Sequence, residues 1–315
     1  MRIVLAGASG FIGERLISAL AARGDEVALI GRAGPDARWG DTAAITALVD
    51  GTDAVINLAG KSVNCRYNAR NRAEIFRSRV DTTAQIATAI AAAKRPPAAW
   101  LNASTATIYR HAEDRAQTES TGELGSGFSV DVATAWERTL FDPALPHTRR
   151  VALRLAIVLG RGSVMPPLIR LARLGLGGAQ LDGRWPATRA RLAAGTYHRF
   201  AARGGRQRFS WIHIDDAVRA ILFLLEQPDM NGAVNLSSPN PSDSRGVMRT
   251  LRRVLGVPFG IPAPRFVLEL GAMVIRTETE LVLKSRWAVP ERLLEAGFTF
   301  EYPELEPALR QILRG

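Results

Sequence analysis

The pattern Gly7-x-x-Gly10-x-x-Gly13, fed by the apolar run from Ile3 to Ala6, has the chemistry of a phosphate trap. A buried parallel strand ends at Ala6, Gly7 permits the tight turn, Gly10 leaves room for a pyrophosphate against the backbone, and Gly13 lets the next helix sit close to the sheet. Ser9, Phe11 and Ile12 fill the intervening positions, where the free N–H groups of a helix start would face the phosphates. The competing reading is a strand-to-helix turn with no ligand. The next candidate strand ends in Gly31-Arg32, without the Asp or Glu that would hold a ribose 2′-hydroxyl. Arg32 is either a bidentate grip on a 2′-phosphate, which points to NADP as the cofactor, or an exposed loop charge.

Other reactive residue types are sparse. Cys65 is the only cysteine, so an internal disulfide and a thiolate metal site are both excluded, and no metal site is expected. The net charge of +11 invites a polyanion partner, but only Lys61, Lys94 and Lys284 are lysines and the arginines are spread along the chain. That distribution argues against nucleic acid, whose binding would fall steeply with salt. The dense patch lies between Arg184 and Arg208, with seven arginines and no acidic residue.

The elements that must position these residues alternate. Strands are expected at 2–6, 26–30, 53–58, 98–103 and 149–158, and helices at 12–23, 42–49, 69–93 and 129–141. Right-handed crossovers then give an α/β fold, a Rossmann-type doubly wound parallel sheet over residues 1–160. Residues 161–315 form the substrate-side region: a helix at 164–176, an irregular Arg-rich insertion at about 181–204, and a strand at 208–214. A helix at 215–227 follows, and segments around 205–235 return to the core. Helices near 243–255, 264–275 and 290–296 make a smaller, mostly helical C-terminal cap. No apolar run reaches the ~20 residues of a membrane span, and the chain enters a strand at once without a signal-peptide pattern, so a cytoplasmic location is expected.

In its residues the chain resembles the extended short-chain dehydrogenases/reductases. The resemblance runs through Gly7 to Gly13, Asp53-Ala-Val-Ile-Asn57-Leu-Ala-Gly60, Asn102-Ala-Ser-Thr-Ala-Thr-Ile-Tyr109, Leu153-Arg154-Leu155 and Trp211-Ile-His213-Ile-Asp215-Asp216. Ser78-Arg79-Val80, Trp136-Glu137, Gly204-Gly205-Arg206-Gln207 and Gly297-Phe-Thr-Phe-Glu-Tyr302 narrow it to an epimerase-like branch. That branch is named for NAD(P)-dependent nucleoside-diphosphate-sugar epimerisation and carries a C-terminal domain of unknown role. The resemblance implies that Asn57, Leu58, Ala59 and Gly60 pass beneath the cofactor toward the nicotinamide, that Ala103 and Thr105 lie beside its ring, and that Lys61 lines the pocket. Arg79 either reaches the cofactor or stabilises the fold. Asn57 reads equally well as an amide satisfying buried backbone groups.

The chain departs from that family in its acid–base chemistry. Typical members use Tyr-x-x-x-Lys, the lysine lowering the phenol's pKa. Here the residues four beyond Tyr67, Tyr109, Tyr197 and Tyr302 are Asn71, Glu113, Ala201 and Glu306. Anchoring on Trp136-Glu137 puts Ser129 and Ala133 in the two positions. Thr105 matches the residue that bonds the reacting oxygen, and Tyr109 could face the same pocket, although both have structural readings as a strand-end cap and a packed aromatic. Glu137, Asp131 and His213 are further proton-transfer candidates, His213 reading more readily as part of a hydrogen-bonded element boundary.

These residues predict an NADP-dependent oxidoreductase or epimerase acting on an anionic small molecule, with nucleotide sugars as one class. The alternative is a non-catalytic NADP-binding sensor or scaffold. The insertion, with glycines at Gly183, Gly195 and Gly204, is either a flap that brings uncompensated arginines to the substrate or a solvated or subunit-packing loop.

Overall fold

A computed structural model of the chain describes residues 1–193 and 197–314. The first half alternates: β1 (Arg2–Ala6), α1 (Phe11–Ala22), β2 (Glu26–Gly31), β3 (Ala37–Arg38), α2 (Thr42–Val49), β4 (Ala54–Asn57), α3 (Ala69–Ala92) and β5 (Ala99–Thr105). After a 3₁₀ turn at Ala106–Ile108 come α4 (Phe128–Phe141), β6 (Arg149–Leu155), β7 (Ile157–Leu159), α5 (Met165–Arg173) and α6 (Arg189–Ala193). The remainder holds β8 (Arg208–Phe209), β9 (Trp211–His213), α7 (Ile214–Leu225), β10 (Gly232–Leu236), β11 (Ser242–Asp243) and α8 (Ser244–Leu255). Four further helices end it: α9 (Arg265–Val274), α10 (Glu280–Leu283), α11 (Glu291–Glu295) and α12 (Leu305–Arg314).

Seven strands pair in parallel in the order β10-β6-β5-β4-β1-β2-β3, the doubly wound arrangement expected. Alternation along β1 sets both faces: Ile3 and Leu5 join Leu16, Leu20, Ile221 and Leu224, whereas Val4 and Ala6 join Ile45, Val49, Ile86, Ile90 and Trp100. Each such large aliphatic side chain removed from water contributes ~1.5–3 kcal/mol. Among the described residues no helix is long and apolar enough to cross a membrane, and no group of His, Cys, Asp and Glu could hold a metal ion.

Several boundaries differ from expectation. The single strand expected over 149–158 breaks at Ala156, where the chain changes partner: Ala156 N–H donates to Leu236 O, and Ile157 N–H donates to Ser210 O. β7 then pairs with β9 in a separate small sheet. The strand expected at 208–214 is likewise divided, because Arg208 and Phe209 pair with β11. The C-terminal region is stitched into the core instead of resting on it. Gln117 N–H donates to Trp287 O, Val289 N–H to Gln117 O, and Ser210 N–H to Arg286 O.

The insertion is anchored. Buried Asp182 accepts from Phe200 N–H at 3.0 Å, Ala201 N–H at 2.8 Å and Arg265 Nη1 at 2.6 Å. The Phe200 ring stacks with both His111 and His198. The expectation of uncompensated arginines needs correction for Arg191, which pairs with Glu269 at 3.2 Å. Gly195 lies outside the described residues.

Candidate active site

The C-terminal ends of β1, β4 and β5 converge on one region, as parallel pairing of Ala6 with Asn57 and of Asn57 with Asn102 requires. Gly7 has φ +83°, and a Cβ there would come within 2.6 Å of Leu58 C. A Cβ on Gly13 would meet Gly7 O at 2.3 Å, so Gly13 fixes the approach of α1 to the turn. Gly10 differs: its added Cβ would meet only Gly7 O, at 3.2 Å, so the protein itself leaves room in front of it. Gly10 caps α1 with no side-chain bond, and the first turn of N–H groups, at Phe11, Ile12 and Gly13, lacks intrahelical acceptors. Ser9 is exposed beside this turn, and the Phe11 ring packs toward Gly160 and Gly162.

At the other end of the cradle Arg32 is exposed. Arg38, a residue the sequence reading missed, pairs in register with Gly31 across β2 and β3 and is also exposed. The one acid in this loop, Asp36, accepts from Leu29 N–H at 2.7 Å.

Asn57 is fully buried, donating to Asn102 Oδ1 at 2.7 Å and Thr83 Oγ1 at 3.3 Å and accepting from Ala59 N–H at 3.0 Å. Its amide is spent on shaping the Leu58-Ala59-Gly60 loop, so the backbone-satisfying alternative describes its contacts. The Lys61 ammonium turns onto α3, bonding Asn71 and Glu74. Arg79 takes the place beside the loop: a Cβ on Gly60 would lie 3.3 Å from its Cζ, and its guanidinium sits 5.2 Å from the Trp136 ring centroid. Burial pushes the Arg79 pKa down to about 10.

Ala103 is buried in β5, and Thr105 Oγ1 accepts from Thr107 N–H at 3.1 Å, capping the 3₁₀ turn. Tyr109 is buried: its hydroxyl donates to Asn235 Oδ1 at 2.9 Å and accepts from Arg154 Nη1 at 2.8 Å. Burial raises its pKa despite the neighbouring guanidinium. Arg154 in turn forms a two-point pair with Glu137, at 2.8 and 2.7 Å, and Ser104 Oγ donates to Glu137 Oε1 at 2.6 Å. Tyr109 and Glu137 thus belong to one buried polar chain under the site. Asp131 is exposed, and His213 caps α7, Asp215 N–H donating to its Nδ1.

The sequence reading also missed what surrounds the dyad positions. Tyr67, buried edge-on to Phe128, is pushed up to about 12 by burial. Ser129 Oγ donates to Glu280 Oε2 at 3.1 Å, and His198 Nε2 lies 3.5 Å from the same oxygen. Lys284 Nζ donates to Thr107 O at 2.8 Å, and Arg286 Nε to Thr107 Oγ1 at 3.1 Å. In sequence this segment shows only Glu280, Lys284 and Arg286 close together, far from Thr107 along the chain.

The chain is similar to known proteins along its length. The NAD dependent epimerase/dehydratase family matches residues 3–237, and a domain of unknown function, DUF1731, matches residues 263–312. The bovine epimerase family protein SDR39U1 is 33% identical over 99% of this chain and 100% of its own length. The Bacillus subtilis epimerase family protein YfhF is 28% identical over 99% of this chain and 98% of its own. The crystal structure of human epimerase family protein SDR39U1 (isoform2) with NADPH superposes with a TM-score of 0.83 at 30% identity, covering 100% of both chains.

Proposed function

The chain belongs to the NAD dependent epimerase/dehydratase family, and on that premise we propose that it binds NADP(H) across the Gly7–Gly13 turn and acts as an oxidoreductase or epimerase on an anionic small molecule. The observation that carries the cofactor choice is the pair Arg32 and Arg38, both exposed at the end of β2 where the only nearby acid is already bonded to Leu29 N–H. A 2′-phosphate is the group such a pair accommodates. The NADPH complex of the human relative supports the same choice.

The residues fit the group. The first-turn N–H groups at Phe11, Ile12 and Gly13, with Ser9 alongside, would hold the pyrophosphate in the space in front of Gly10. Asn57 holds Leu58, Ala59 and Gly60 as the floor, and Ala103 and Thr105 flank the nicotinamide end. When bound, the nicotinamide supplies hydride exchange with a carbonyl or alcohol carbon. Thr105 orients the reacting oxygen, while Tyr109 supports that wall from beneath.

Ser129 and Ala133 in place of the proton-transfer pair favour a second reading, a non-catalytic NADP-binding sensor. Calorimetric titration with NADPH and NADH tests the cofactor, with Gly10→Val as the control that keeps the fold and loses binding. Equal affinity of that variant and the parent overturns the cradle. Turnover of NADPH with a carbonyl panel that includes nucleotide sugars separates enzyme from sensor.

A further inference from the structure

We propose that Lys284 and Arg286, carried by the C-terminal region, form an anion-recognition site beside Thr105 that takes the oxyanion group of the substrate. The inference rests on the reading above, because it supplies the substrate class for the same site. Both side chains are buried, at 4% and 7% exposure, and their hydrogen bonds run to neutral oxygens: Thr107 O for the ammonium, Thr107 Oγ1 and Leu281 O for the guanidinium. Neither forms an ion pair among the described residues. Two buried acids stand in the cluster: Glu280 accepts from Ser129 Oγ and lies 3.5 Å from His198 Nε2, and Glu278 accepts from Tyr67 N–H and faces Arg66 at 3.4 Å. Two buried cations, neither in direct contact with a carboxylate, are costly to desolvate, and an anionic ligand offsets that cost.

Their position makes the site part of the reaction region. Thr107 is joined to Thr105 by the 3.1 Å cap bond, so both cations are fixed to the turn that ends β5. Backbone stitching holds them there: Ser285 N–H donates to His111 Nδ1 at 3.0 Å, and Arg286 N–H to Arg208 O at 2.9 Å. Burial also pushes the Lys284 pKa down to about 8, and a bound anion would raise it again.

The shared chemistry is an oxygen-rich anion, either the diphosphate of a nucleotide or the carboxylate of a sugar acid. Inorganic pyrophosphate and glucuronate are the probes, added to NADPH-saturated protein while the Lys284 resonance is followed by NMR across pH. One probe is expected to raise the Lys284 pKa by about one unit or more, naming the source. Lys284→Met should weaken that probe about tenfold or more and leave NADPH affinity unchanged; Arg286→Lys, which keeps the charge, should weaken it less. A Lys284 pKa unmoved by both probes, or undiminished binding in Lys284→Met, overturns the site. If the protein binds no NADPH yet the Lys284 response appears in its absence, the cofactor reading falls and the anion site stands.

Discussion

Ser129 Oγ donates to Glu280 Oε2 across 3.1 Å, joining the first turn of α4 to the first residue of α10. The resemblance to short-chain dehydrogenases/reductases gives position 129 to a tyrosine, and here a buried carboxylate from the C-terminal region lies against the Ser129 hydroxyl. Restoring the pair as Ser129→Tyr with Ala133→Lys should therefore overpack the site, because Ala133 is also buried. The expected cost is ~1–3 kcal/mol, read as a lower urea midpoint, with no gain in NADPH turnover. Rising activity at unchanged stability would show that the space is open.

Arg32→Ala should weaken NADPH by ~1.5–3 kcal/mol, the worth of a charge-assisted hydrogen bond, and leave NADH nearly unaffected. Arg38→Ala should do the same, and the double variant should bind the two cofactors about equally. Calorimetry checks both. Equal losses for NADPH and NADH would remove these arginines from the 2′-phosphate.

The glycine turn was legible because backbone geometry alone demands it: no other residue tolerates φ +83° against Leu58 or the 2.3 Å approach of Gly13 to Gly7 O. Family and fold followed from motifs of that kind. Side-chain direction was not legible. Lys61 and Tyr109 have suitable chemistry and nearby positions, yet one turns onto α3 and the other into Arg154 and Asn235. Glu280, Lys284 and Arg286 were out of reach for another reason: Lys284 meets Thr107 across 177 residues, and no local pattern encodes that contact. The helical spacing of Leu305, Ala308, Leu309 and Ile312 in α12, by contrast, is present in the sequence and escaped a reading that stopped at α11.

The chain Ser104–Glu137–Arg154–Tyr109–Asn235 makes a separate claim about stability. Arg154 and Glu137 side chains are 11% and 12% exposed, so Arg154→Met strands a buried carboxylate and should cost ~3–5 kcal/mol. Adding Glu137→Leu should recover much of that loss, since replacing both partners removes the uncompensated charge. Chemical denaturation of the two single variants and the double variant supplies the cycle. Additive losses would mean that the pair does not act as a unit.

Lys284 links stability to the proposed anion site. Its folded pKa of about 8 lies below the ordinary value of 10.5, burial being the largest cause. Below pH 8 the lysine is protonated in both states, and the fold carries the full cost of the buried charge. Between pH 8 and 10.5 the folded lysine has released its proton while the unfolded one retains it, so the unfolded state binds more protons and stability rises with pH. Lys284→Met lacks this term. The variant should be more stable than the parent at pH 7, and its advantage should shrink by ~3 kcal/mol as pH climbs through that window, other titrating groups cancelling in the difference. Saturating the parent with the anion that the site accepts should remove most of the difference at pH 7, because ligand binding stabilises only the folded, protonated form. Urea unfolding of both proteins from pH 7 to 10.5 measures the effect, and a difference that stays flat with pH would show that the Lys284 ammonium is not destabilised where it sits.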